Sequence, residues 1–98
     1  MHDGVHALSA RLERRSPIGL LDGSSFEIAL IDIREPESPV ALHIDVVVGA
    51  TYKSEKFTGE LHLGRDRLED LDYVEEAAVQ MMKRIVTGDL PPGARDLL

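Results

Sequence analysis

The sequence predicts an α+β domain: a three-stranded antiparallel meander backed by a long C-terminal amphipathic helix. Residues 26–34, 40–50 and 56–63 show the two-residue periodicity of strands, and turn-forming clusters separate them. Residues 66–87 instead carry apolar side chains at helical spacing. The chain has 98 residues, which suits one domain, with residues 1–4 and 89–98 expected as mobile ends.

The first segment admits two readings. Val5, Leu8 and Leu12 fall on one helical face, and Asp3 can cap the start. Leu8, Ala10 and Leu12 also alternate as in a strand. A short helix is the preferred reading of residues 5–15, with a fourth strand as the alternative. Ser16-Pro17 interrupts either pattern. Asp22-Gly23-Ser24-Ser25 is a turn signal, and a hairpin forms if Ile18, Leu20 and Leu21 make a short strand.

In the first strong strand Phe26, Ile28 and Leu30 point one way, and Ala29, Ile31 and Ile33 the other. Apolar character on both sides predicts a strand covered on both faces. Pro36 and Pro39 end it. In the next strand Leu42, Ile44, Val46 and Val48 face inward, and His43, Asp45 and Val47 face out. A reversal within residues 51–55 leads to the third strand. There Phe57, Gly59, Leu61 and Leu63 share one face, and Thr58, Glu60 and His62 the other. Gly59 leaves room for the helix or an aromatic ring across the sheet.

The helix is expected to begin at Asp66, with Glu69 closing a capping box. Leu68, Leu71, Val74, Ala78, Met81 and Ile85 form its apolar stripe, and Gly88 caps its end. Its early acids and late Lys83 and Arg84 suit the helix dipole.

The chemistry legible in the chain is sparse. There is no cysteine, which removes disulfides, thiolate catalysis and cysteine-ligated metals. No serine sits in a GxSxG context, and no phosphate-cradling glycine motif is present. The most concentrated polar pattern is His43-x-Asp45 on one strand and Glu60-x-His62 on the next. With a reversal centred near residues 52–53, His43 would oppose His62 and Asp45 would oppose Glu60. Two imidazoles and two carboxylates could then converge on zinc or another divalent metal.

The order helix, three strands, helix is that of double-stranded-RNA-binding domains, a comparison of topology alone. The last helix here opens with acids, and the formal charge is −7, so no nucleic acid is expected as a partner. No apolar run is long enough to span a bilayer, and none reads as a signal peptide. The expectation is a cytoplasmic, non-enzymatic accessory or protein-interaction protein acting as a homodimer. The alternative is a small metal-binding protein or metal-dependent hydrolase using His43, Asp45, Glu60 and His62. The dimer is expected because one helix covers only one face of a sheet. The other face needs the N-terminal segment or a second copy.

Overall fold

A computed structural model describes residues 3–35 and 42–97. The elements are α1 (Asp3–Arg15), β1 (Ile18–Gly19), β2 (Ser25–Arg34), β3 (His43–Tyr52), β4 (Glu55–Gly64), a 3-10 turn (Arg65–Glu69), α2 (Leu71–Val86) and β5 (Arg95–Leu97). The sheet runs β1-β2-β3-β4-β5. The first four strands are antiparallel, and β5 joins the edge of β4 in parallel. The α+β class therefore holds, with an N-terminal helix and also a fourth antiparallel strand. No helix among the described residues is long and apolar enough to cross a membrane.

Both helices lie on the same side of the sheet. Leu8 and Leu12 of α1 join Phe26, Ile28, Val46, Val48, Leu61 and Leu63 in one buried cluster with Val74, Ala78, Met81, Met82 and Ile85 of α2. Arg11 pairs with Asp72 and Glu75 across the helix pair, and Arg15 pairs with Glu75 and Glu76. These pairs align the two helices side by side. The N-terminal segment thus does not cover the second face of the sheet.

Three details depart from the alternation in the sequence. First, β2 carries a bulge between Leu30 and Asp32. The inserted residue resets the alternation, so Ile33 pairs with Val46 and packs on the core instead of facing out. Ile31 stays on the outer face with Ala29 and is 59% exposed. Second, β3 begins at His43. Leu42, expected inside, precedes the strand and is 74% exposed. Third, α2 begins four residues late. Asp70 is its N-cap and accepts from the Tyr73 amide, while Asp66 lies in the first turn of the 3-10 segment. At its other end Thr87 is the C-cap, and Gly88 just after it takes the positive φ of 89° that commonly ends a helix.

The outer edge of β2 is partly closed by one side chain. Ser16 Oγ accepts from the Ile28 amide at 2.8 Å and donates to the Ile28 carbonyl at 3.1 Å. The hydroxyl thereby does the work of a paired strand at that residue. Beyond it, the bulge and the charged Asp32 and Arg34 discourage strand addition.

The β3–β4 turn contains only Lys53 and Ser54, both at positive φ, 50° and 68°. A two-residue hairpin of this kind favours Asn-Gly, because other residues resist the left-handed region. Replacing Ser54 with glycine is therefore expected to raise stability by about 0.5–1 kcal/mol. The check is the urea midpoint. An unchanged or lower midpoint would show that the turn carries no such strain.

Candidate functional site

The tight turn also fixes the register on which the polar pattern depends. The reversal centres between Lys53 and Ser54, not near 52–53. Pairing is displaced by two residues from the expected register, so faces are kept and partners change. Asp45 opposes His62, His43 opposes Gly64, and Val47 opposes Glu60.

Three of the four sequence-predicted residues remain neighbours. His62 Nδ1 lies 2.8 Å from Asp45 Oδ1. The His43 and His62 rings stack, with centroids 4.8 Å apart and planes 10° from parallel. Glu60 is drawn away and accepts from Arg34 Nη1 at 2.8 Å. Among the described residues, no three His, Asp or Glu side chains are grouped as metal ligands.

Arg95 is the participant that sequence reasoning missed. It sits on β5, within the tail expected to be mobile. Its Nη2 lies 3.0 Å from Asp45 Oδ1 and 2.7 Å from His62 Nδ1. Two backbone bonds bring it there: Gly93 N–H donates to Thr58 O at 2.7 Å, and Glu60 N–H donates to Ala94 O at 2.9 Å. Three residues of parallel strand are too short to show periodicity. The only available signal was an arginine and leucines following the Pro91-Pro92 break.

Partial desolvation opposes ionisation of Asp45. The contact with His62, and the charge and hydrogen bond of Arg95, together outweigh it and hold the carboxyl below the usual carboxylate range. The stabilisation from Asp45 is therefore complete above the ordinary carboxylate pKa and is lost as pH falls through the depressed one. Asp45 stays ionised through the interval where imidazoles change charge.

The rest of the outer face forms rows across β2, β3 and β4. Glu27, Thr51 and Lys56 make one row, and Ala29, Gly49 and Thr58 the next. Asp32, Val47 and Glu60 follow, and then Arg34, Asp45 and His62. Val47 is only 6% exposed yet lies outside the main core cluster, screened by its neighbours on this face. Ile31 rises beside a shallow depression of about 190 Å³ floored by Ala29, Gly49 and Thr58. A Cβ at Gly49 would meet Ile31 Cδ1 at 2.8 Å, so Ile31 lies directly over that glycine.

The outer face thus has small and aliphatic residues at its centre and ion pairs at one end. Comparison with protein-family models, curated proteins and solved structures found no match.

Proposed function

We propose that the chain is a non-enzymatic assembly module whose outer sheet face docks a second copy of itself, forming a homodimer that serves as an accessory or interaction protein. One observation carries the reading. Both helices pack on the same face, and no described element covers the other. The uncovered face has an apolar centre and a charged margin, the usual anatomy of an interface.

A second copy fits its shape and charge. Consider a two-fold axis parallel to the sheet and just above its outer face, perpendicular to the strands, between the Ala29 row and the Val47 row. It sets Ile31 of each copy against the depression of the other. It also brings Glu27 opposite Arg34. Ile31 supplies the knob and Ala29 the hollow, so one surface is self-complementary, as two-fold symmetry demands.

The area limits the affinity. Three strands of ten residues present roughly 500 Å² at ordinary strand spacing and rise. That is below the about 800 Å² per partner of a standard interface, and the charge of −7 adds repulsion. The dimer should dissociate in about the micromolar range and tighten with salt.

Sedimentation across a range of protein concentrations tests this. The wild type should pass from monomer to dimer. Ala29→Arg places a cation at the centre of an exposed face and should weaken the dimer at least about tenfold while keeping the fold. A wild type that stays monomeric into the millimolar range, or a folded variant that associates equally well, would overturn the reading.

A further inference from the structure

At the charged margin of the outer face lies an arrangement whose geometry is proton-dependent. Asp45 Oδ1, His62 Nδ1 and Arg95 Nη2 form a triangle with sides of 2.7, 2.8 and 3.0 Å. They come from three strands, β3, β4 and β5. At most two sides can be hydrogen bonds at once. A guanidinium only donates and a carboxylate only accepts, so the proton on His62 decides which side fails.

With a lone pair on Nδ1, Arg95 donates to both His62 and Asp45. The Asp45–His62 side is then a contact between two acceptors, so the help His62 gives in holding Asp45 low is absent and Arg95 alone holds the carboxylate. With a proton on Nδ1, His62 donates to Asp45, and Arg95 faces an N–H it cannot bond. In the imidazolium, Arg95 also faces a second cation. The 2.7 Å Arg95–His62 side is a hydrogen bond only in the Nε2–H tautomer, with Nδ1 unprotonated.

We propose that this triangle is a proton-sensitive latch: neutral His62 holds Arg95 and thereby β5 against the sheet, and protonated His62 loosens them. The charged and titratable groups facing His62 agree with that direction. His43 stacks on it from β3 and brings no carboxylate to the triangle. Glu60 is engaged by Arg34, so neither offers Arg95 a replacement partner. Asp45 stays ionised and keeps one bond to Arg95, so loosening is partial. The latch acts within a single chain and stands whether or not the outer face docks a second copy.

The readout is amide exchange at Gly93 and Glu60, whose bonds to Thr58 O and Ala94 O carry the approach to β5. After correction for the intrinsic pH dependence of exchange, their protection should fall about tenfold between about pH 8 and about pH 5.5. The Val46 amide, in the central strand, should not change over the same interval. In His62→Gln the response should vanish, whereas in His43→Gln it should persist. Arg95→Gln should give low protection at both pH values. In the wild type, nitrogen NMR should show His62 Nδ1 unprotonated at the higher pH. PH-independent protection in the wild type, a full response in His62→Gln, or a protonated Nδ1 at the higher pH would each overturn the latch.

Discussion

Truncating Leu12 to alanine is expected to destabilise the protein by about 3 kcal/mol, read as a lower denaturant midpoint at unchanged slope. Leu12 is fully buried and lies one helical turn from Leu8, which is equally buried. Both insert where α1 rests on β2 beside α2. The ion pairs between the helices involve arginine side chains that are 32% and 36% exposed, so solvent and salt partly screen them. Packing, not charge, should dominate the attachment of α1. A domain of this size has about 5–15 kcal/mol in total, so one such cavity is a large fraction. A loss below about 1 kcal/mol would mean that α1 is not docked as described.

Replacing Gly59 with valine should cost about 2–3 kcal/mol, for the opposite reason. Gly59 lies on the inner face of β4, where α2 crosses closest. An added Cβ would stand 2.7 Å from Ile85 Cδ1 and 3.0 Å from Met81 Cε. Those atoms end flexible side chains, so alanine should cost less as they shift. The branched chain of valine leaves them nowhere to go and lifts the helix. Thermal unfolding of the two variants separates the cases: valine well below alanine, and alanine slightly below wild type. A valine variant as stable as wild type would place α2 farther from the sheet.

The architecture was legible where one physical constraint dominated. The alternation in β3 and β4 placed Ile44, Val46, Val48, Leu61 and Leu63 correctly, because each strand has one buried face. Room for α2 at Gly59 was legible for the same reason. The bulge at Ile31 was not, since an inserted residue leaves the apolar composition of β2 unchanged while turning Ile33 inward. The start of α2 was ambiguous because Asp66 and Asp70 are both good caps, and the intervening turn fits either.

The polar cluster was legible in membership and not in partners. Strand periodicity put His43, Asp45, Glu60 and His62 on one face, which requires only that the register be right to within an even number of residues. The pairing itself depended on a turn of Lys53 and Ser54, neither of which advertises the left-handed geometry both adopt. Arg95 lay beyond reach, because β5 forms through contacts distant in sequence. Of the two readings of residues 5–15 the helix holds, over 3–15, and the separate hairpin reading is met by the short strand at 18–19.

The central claim is that the outer face is covered by a second copy, and the most direct measurement is methyl NMR with a soluble paramagnetic agent. Leu21 is fully exposed and lies away from the proposed interface, so it provides the accessible reference. At concentrations where sedimentation shows the dimer, the methyls of Ala29 and Ile31 should be shielded relative to Leu21, and dilution should expose them. Ala29 and Ile31 methyls as accessible as those of Leu21 in the dimer would contradict the account and place the contact elsewhere.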